Sequence, residues 1–369
     1  MFEYRKKIIR PIDWIKKPIE DLLRLIGISF YWLVKPFCPN HIKPNGQLSR
    51  FLLIRRNRLG DAISVLPLIQ LLRQYYPDAV IDVLSNSYNQ FIFKNSDAVD
   101  NIFVVPERYL RNRYLVRFHP ELKRLKQQNK YDFVISATGA FSSATAWLAL
   151  FSPGINKIGV VSQKQHIMNL VYNIQISQSS INKCKHQVEK IAFLAKYSHI
   201  LGQDFEIPSP KLNKLPHTPL KHSVALCPMT NRKESKWSDT NWYLLSQLLG
   251  KNGVSYNWIG EKPISASGNL IKTEKTQEFI ELLSQFDIVV CIEGGVSHIA
   301  PAVDCNTIVI SGVNIAESWI PWSGNSVLFE QTGKVNEIKP RYVMYQILSK
   351  INKNVFLEEN GAILNKHVH

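Results

Sequence analysis

The chain is poor in cysteine, has no apolar run long enough to span a bilayer, and lacks the GxGxxG fingerprint of dinucleotide binding. Its five cysteines (Cys38, Cys184, Cys227, Cys291 and Cys305) are odd in number and far apart, with no CxxC pair. That excludes a disulfide framework and a zinc site, and suits a reducing cytoplasm. Cys291 and Cys305 lie in or beside apolar runs, as buried inert thiols do. The most apolar stretch, LIGISFYWLV at 25–34, has ten residues, and a bilayer needs about twenty. The basic N-terminus is not followed by a short apolar core and cleavage site, so no secretory signal is expected. Proline and glycine are scattered rather than clustered, which argues against long disorder. The missing glycine fingerprint argues against an ordinary dehydrogenase.

Acidic residues are also in deficit. Against 45 Lys+Arg stand 29 Asp+Glu, a formal charge of +16. Such a surplus points to anionic partners (nucleic acid, phospholipid head groups or phosphorylated substrates) or to a solvated basic surface. No recognisable nucleic-acid module accompanies the charge, so no nucleic-acid partner is expected. With 369 residues and 45% apolar content, the chain is long enough for about two domains, each with its own core.

Residues 1–49 form an extension with nine basic residues against four acids, net +5. Between Pro18 and Pro36 the pattern predicts a helix. Its apolar set (Ile19, Leu22, Leu23, Ile26, Phe30, Leu33, Val34), flanked by lysines and by Trp14, Tyr31 and Trp32, suits a helix lying on a membrane surface. Packing on the protein itself or on a second subunit is the other reading. From residue 50 onward strand and helix alternate. Strands are expected at 51–54, 80–84, 102–105 and 133–136, with one helix at 62–75, a basic helix before 133 and another at 186–201. A proline-rich linker at 208–220 precedes a second series: strands at 224–227, 256–259, 288–292 and 307–310, and helices at 239–249, 276–283, from about 297, and 341–351. Such alternation gives parallel sheets with helices on both faces, and ligands at the carboxyl ends of the strands.

Four segments carry candidate chemistry. The first is Gly60-Asp61, where the first strand gives way to the first helix. Asp is among the best helix N-caps, and a carboxylate facing the cleft is also a general base for a hydroxyl. The second is the run from Pro228 to Trp237 (PMTNRKESKW), in which Thr230, Arg232, Lys233 and Lys236 suit a diphosphate; a solvated basic loop is the alternative. In the third, Glu293-Gly294-Gly295-Val296-Ser297-His298, two glycines let backbone amides approach an anion at a helix N-terminus. Ser297 is there a natural N-cap, and His298 is placed to reach a phosphate or ribose or else is structural. The fourth, 108–130, is rich in Arg and Lys interleaved with Tyr109, Tyr114 and Phe118. It reads as a phosphorylated-acceptor site, a membrane face or a solvated helix.

Taken in order, these segments resemble glycosyltransferase family 9, the ADP-heptose:lipopolysaccharide heptosyltransferases. The opening FLLIRRNRLGDAISVLPLIQLLRQYYPDAVIDVLSN carries the family's Gly60-Asp61, Pro67, Leu72-Arg73, Pro77, Ala79 and Ile81-Asp82. KYDFVISATGAFSSATAWLALFSPGINKIGV is similar to its fourth strand and following helix, KESKWSDTNWYLLSQLL to its Lys-x-Trp motif, and DIVVCIEGGVSHIAPAVDCNTIVISG to its Asp-Thr-Gly-x-x-His-Leu-Ala block. The likeness covers roughly residues 50–350.

The resemblance implies a GT-B fold, two Rossmann-like domains facing across a cleft, with the basic helical extension added. The expected divisions are 1–49 extension, 50–207 acceptor domain, 208–220 linker, 221–335 donor domain and 336–369 C-terminal helix and tail. It further implies a metal-independent, inverting transfer with no cofactor beyond a nucleotide-sugar donor, ADP-heptose being the family's. Asp61 falls on the catalytic base. Thr230, Arg232, Lys236, Glu293, Gly294, Gly295, Ser297 and His298 are expected on the donor, and Arg58, Arg111 and Arg113 on the acceptor. The acceptor would be a phosphorylated, lipid-linked oligosaccharide of the lipopolysaccharide core, met by a peripheral protein on the cytoplasmic face of an anionic membrane. Two departures stand out. Glu293-Gly294 replaces the usual Asp-Thr, and the helix normally found after Trp258-Ile259-Gly260, bordering the nucleotide, is missing. A glycosyltransferase of the same fold with another donor, serving capsule or glycoprotein, and a catalytically inactive membrane-associated family member therefore stay open.

Overall fold

The computed structural model describes residues 29, 33, 48–56, 58–107, 109, 118–164, 166–202, 204–215, 220–351 and 366–367. The expected helix between Pro18 and Pro36, most of the 108–117 basic segment with Arg111 and Arg113, and the end of the linker lie outside these.

The first unit is a six-stranded parallel sheet in the order β3-β2-β1-β4-β5-β6. Its strands are β1 (Arg50–Ile54), β2 (Val80–Ser85), β3 (Asn101–Val104), β4 (Tyr131–Ser136), β5 (Gly154–Val161) and β6 (Ile174–Ser177). Helices α1 (Leu59–Ile63), α2 (Leu66–Tyr75), α3 (Gln90–Lys94), α4 (Pro120–Lys126), α5 (Ser143–Phe151), α6 (Gln178–Ile181) and α7 (Gln187–Tyr197) connect them. The central strands carry near-continuous apolar runs, Phe51–Ile54 in β1 and Phe133–Ile135 in β4, as strands covered on both faces do. Phe51 and Leu53 join one cluster with α2 residues, and Leu52 and Ile54 join another with Leu122, Leu125 and Leu148. Asp82 of the family-like Ile81-Asp82 pair is fully buried. It accepts from the Tyr131 hydroxyl at 2.5 Å and Asn101 Nδ2 at 2.9 Å, so its role is to knit strands.

The single helix expected at 62–75 is two. Pro67 lies in the first turn of α2 and has no N–H to continue a preceding helix, so the chain breaks at Ser64-Val65. The first of the two, α1, starts at Leu59, which places Asp61 inside a helix.

The second unit repeats the plan with β7 (Leu220–Cys227), α8 (Asp239–Lys251), β8 (Tyr256–Ile259), β9 (Asn269–Ile271), α9 (Thr276–Leu283), β10 (Phe286–Ile292), α10 (Gly295–Ala302), β11 (Asn306–Ser311), β12 (Ser326–Glu330), α11 (Pro340–Ile351) and β13 (Lys366–His367). Its order is β13-β12-β11-β10-β7-β8-β9, with β13 antiparallel to β12. Strands β5, β6, β9, β12 and β13 were not among those expected. Helix α11 closes one face, with Val343, Met344 and Ile347 on the cluster of Trp237, Trp242 and Trp258.

No helix joins β8 to β9, although parallel neighbours ordinarily need one. Residues 260–268 cross instead as a serine-rich strap. Ser267 accepts from Trp258 Nε1 through its carbonyl at 3.0 Å and bonds Tyr256 through its hydroxyl at 2.7 Å, and Ser246 donates to Ser265. Gly268 has φ +84, and a Cβ there would lie 2.5 Å from the Tyr256 ring, so only glycine closes this turn.

The two units meet directly. The Gln187 amide donates to Ser318 O, Leu212 N to Ala302 O at 2.8 Å, Asn95 Nδ2 to Gln277 Oε1, and Trp322 Nε1 to Ile207 O. One apolar cluster runs through both sheets.

Candidate active site

Strand order reverses between β1 and β4 in one sheet and between β7 and β10 in the other, and crevices open at such switch points. The loop after β1 carries Arg55 to Asp61, the loop after β7 carries Pro228 to Trp237, and the loop after β10 carries Glu293 to His298. Three of the four segments picked out from composition therefore stand at switch points.

Asp61 occupies the third position of α1, not the N-cap. Its Oδ2 accepts from the Arg58 backbone N–H at 3.2 Å, so the capping reading holds in modified form, with Asp61 reaching back to the cap residue. Arg55, which sequence reasoning passed over, fixes the rest. Its side chain is buried, and it donates from Nε to Asp61 O at 2.9 Å, from one terminal nitrogen to Ala137 O at 2.6 Å, and from the other to Asp61 Oδ1. Burial lowers the Arg55 pKa, and the Asp61 carboxylate opposes that. The detectable signal was an arginine directly after the apolar run FLLI, six residues before an aspartate.

Asp61 lines an open pocket of about 330 Å³ with Arg58, Asn86, Tyr88 and Glu107. Its side chain is 18% exposed, the exposed part facing this space, while Oδ1 is taken by Arg55. Of the predicted acceptor residues, Arg58 is here.

Behind Asp61 the second unit closes in. A Cβ on Gly60 would lie 2.8 Å from His298 Cδ2, so this glycine lets α1 seat on α10. His298 packs edge-on to Trp319 at 5.9 Å. Burial, with a smaller contribution from His186, pushes its pKa from 6.5 down to about 4. At neutral pH it is an uncharged imidazole, able to donate a hydrogen bond but not to act as a phosphate-binding cation. His186 caps α7 at Val188 N and bonds Ile320 O through Nε2 at 2.8 Å; burial lowers its pKa too.

The loops after β7 and β10 differ in detail from expectation. Gly294, with φ +148, is the N-cap of α10, and Ser297 is three residues further in. The Ser297 hydroxyl donates to Gly294 O at 2.8 Å and accepts from Gly294 N, so it serves its own helix. A Cβ on Gly294 would meet nothing within 4 Å, and Gly295 is likewise exposed, leaving an open helix start. The Glu293 carboxylate is buried and turned inward, accepting from Ser235 Oγ at 2.9 Å and pairing with Arg232 at 3.4 Å. It thus ties the 230s loop to β10. Thr230 Oγ1 accepts from Arg232 N at 3.0 Å, shaping the turn. Lys236 is exposed, with only a 3.7 Å approach to Asp239. Gly312, also missed, lies under this loop: its amide donates to Ser235 Oγ, and a Cβ would stand 1.9 Å from Glu234 O. Among the described residues no group of three or more His, Cys, Asp or Glu is placed to hold a metal ion.

A family model described as glycosyltransferase family 9 (heptosyltransferase) matches residues 121–344, well over half the chain. The chain belongs to glycosyltransferase family 9. It is an enzyme of sugar transfer, related to the heptosyltransferases of lipopolysaccharide assembly. The match takes in both donor-side loops and begins after Asp61. Lipopolysaccharide heptosyltransferase 1 of Salmonella typhimurium is 25% identical over 288 residues, covering 71% of this chain and 88% of that protein. Among solved structures, the E. coli heptosyltransferase WaaC with ADP superposes with TM-score 0.69 at 20% identity, covering 82% of this chain and 99% of that one. The family 9 glycosyltransferase of Veillonella parvula gives 0.71 at 12% identity, covering 85% and 100%. These likenesses establish the GT-B fold of two parallel-sheet α/β units.

Proposed function

We propose that this family 9 enzyme transfers a heptose, or a closely related sugar, from an ADP-activated donor to the lipopolysaccharide core, with inversion and with Asp61 as base. The observation that carries this is the Asp61 carboxylate, pinned at Oδ1 by a buried arginine and opening onto a pocket at the carboxyl ends of β1, β2 and β3, on a helix, α1, that packs against α10. In the reaction Oδ2 takes the proton of an acceptor hydroxyl as its oxygen attacks the anomeric carbon. The leaving nucleoside diphosphate gathers charge against the helix start of α10 at Gly295, against Lys236, and against the neutral His298. Thr230, Arg232 and Glu293 hold the 230s loop in shape for that contact, and Ser297 holds the glycine turn. WaaC has been solved with ADP and with a fluorinated ADP-heptose, which favours ADP-heptose as the first donor to test.

In this reading 50–207 is the acceptor domain, 208–220 the linker, 221–335 the donor domain and 336–369 the C-terminal helix and tail. The basic extension, Arg58 and the arginines at 111 and 113 serve a phosphorylated lipid-linked acceptor on the cytoplasmic face of an anionic membrane. The net +16 supports this, and among the described residues no helix is long and apolar enough to cross a bilayer.

The strap replacing the β8–β9 helix favours a second reading, the same chemistry with another nucleotide. A thermal-shift panel separates the two, since a ligand at 100 times its Kd adds roughly 2.7 kcal/mol of stability. Stabilisation by ADP-heptose but not by UDP- or GDP-sugars supports the first reading, and the converse supports the second. No stabilisation by any nucleotide sugar contradicts both.

A further inference from the structure

The Asp61 pocket contains a second carboxylate that the transfer step does not use. Glu107 follows β3, Asn86 and Tyr88 follow β2, and Arg58 and Asp61 follow β1. These three strands are neighbours, so the pocket is walled by three successive carboxyl ends. Two strand spacings set the Glu107 side and the Asp61 side on the order of 10 Å apart.

Glu107 is rigidly held. Asn86 Nδ2 donates to its Oε1 at 2.8 Å, and an Arg56 terminal nitrogen donates to its Oε2 at 3.1 Å. Asn86 is fixed in turn, since its Nδ2 also donates to Arg56 O and its Oδ1 accepts from the Tyr88 and Asn89 amides at 3.0 and 2.8 Å. The bracket does not consume the carboxylate. Two of its roughly four lone-pair sites are occupied, and its side chain is 52% exposed. On the same wall Tyr88 is 53% exposed. A preorganised acceptor-only group beside an open aromatic face, in a concavity the size of one small ligand, suits the chemistry of a sugar ring. Hydroxyls donate to the carboxylate, and the C–H face lies on the ring.

We infer that this pocket receives the terminal sugar ring of the acceptor, with two adjacent free hydroxyls on Glu107 and the ring face on Tyr88. The inference rests on the reading of Asp61 as base, because it is the ring seated between the two carboxylates that presents its reacting hydroxyl to Asp61. Glu107 is a specificity residue: it touches no reacting atom. The substrate must therefore leave the hydroxyls at that end unsubstituted, since a phosphate there would face a carboxylate of like charge. A deoxy analogue would leave one carboxylate oxygen without the hydroxyl that donates to it.

The test is saturation-transfer NMR on the full chain with ADP present, titrating methyl glycosides of heptose, glucose, galactose and N-acetylglucosamine with their monodeoxy and monophosphate forms. At least one parent glycoside is expected to bind. Removing or phosphorylating one of two adjacent hydroxyls should weaken it about tenfold or more, the factor that one charge-assisted hydrogen bond carries. Glu107→Gln should abolish that discrimination, and Tyr88→Ala should weaken every form, with ADP affinity unchanged in both as the control for folding. Failure of every glycoside to bind wild type overturns the inference, as does full deoxy discrimination in Glu107→Gln. If Asp61→Asn instead transfers sugar normally, the base assignment fails, whereas an inactive Asp61→Asn beside an unaltered Glu107→Gln sinks only the pocket assignment.

Discussion

Arg55 offers a sharp test of how the site is built. It spends three donors on three acceptors: the Asp61 carbonyl, the Ala137 carbonyl and Asp61 Oδ1. Arg55→Met keeps much of the volume but strips all three, leaving a carboxylate that is only 18% exposed without its counter-charge. Breaking a buried pair from one side costs about 3–5 kcal/mol. Arg55→Lys keeps the charge, yet one ammonium on a flexible stem cannot reproduce a planar fork. Losing one of the charge-assisted bonds puts its cost at about 1.5–3 kcal/mol. The kinetic effect should exceed the stability effect, because a base displaced by about 1 Å loses on the order of a hundredfold in rate. The assay pairs denaturant midpoints at unchanged m-value with transfer kinetics at saturating donor and acceptor, at a temperature where both variants remain folded. A lowered kcat in Arg55→Lys with near-normal donor KM is expected. Wild-type kcat in that variant would refute the idea that this arginine positions the base.

Two further outcomes follow from the packing. Gly312→Ala drives a methyl against the Glu234 carbonyl, 1.9 Å away, so the 230s loop must move. A stability loss of about 1–3 kcal/mol should come with a raised donor KM and an unchanged acceptor KM, and an unaltered melting temperature would show that the loop is free to shift. His298 makes stability pH-dependent. Its pKa falls from 6.5 to about 4 on folding, so the unfolded chain binds its proton first. Stability is full above pH 6.5 and falls as the pH drops towards 4, by at most about 3 kcal/mol. The fall should be smaller in His298→Gln by denaturant titration at pH 7.5, 6 and 5, and parallel profiles would contradict it.

The plan of alternating strands and helices was readable because apolar runs and turn residues are local signals. The three loops at the switch points were readable because charged and glycine residues interrupt those runs. Most of what was not legible depended on contacts distant in sequence. Pro67 splitting one helix in two was a local cue passed over. Arg55, by contrast, matters because it reaches Ala137, 82 residues away. Glu293 looked like a donor ligand by position, but Ser235, 58 residues earlier, draws its carboxylate inward. His298 looked like a phosphate contact, while its burial under Gly60 and beside Trp319, which fixes it neutral, arises only when the two units pack. Glu107 and Tyr88 carry no motif, and only adjacency of β1, β2 and β3 brings them to Asp61.

The role of Asp61 as the base of sugar transfer is most directly tested by Asp61→Asn. The amide keeps an oxygen for Arg55 and nearly the same shape while losing the proton-accepting carboxylate, and nucleotide binding by calorimetry verifies that the donor side is intact. Transfer is expected to fall by roughly 10²-fold or more with ADP affinity unchanged. Transfer at the wild-type rate by a variant that binds ADP normally would contradict it.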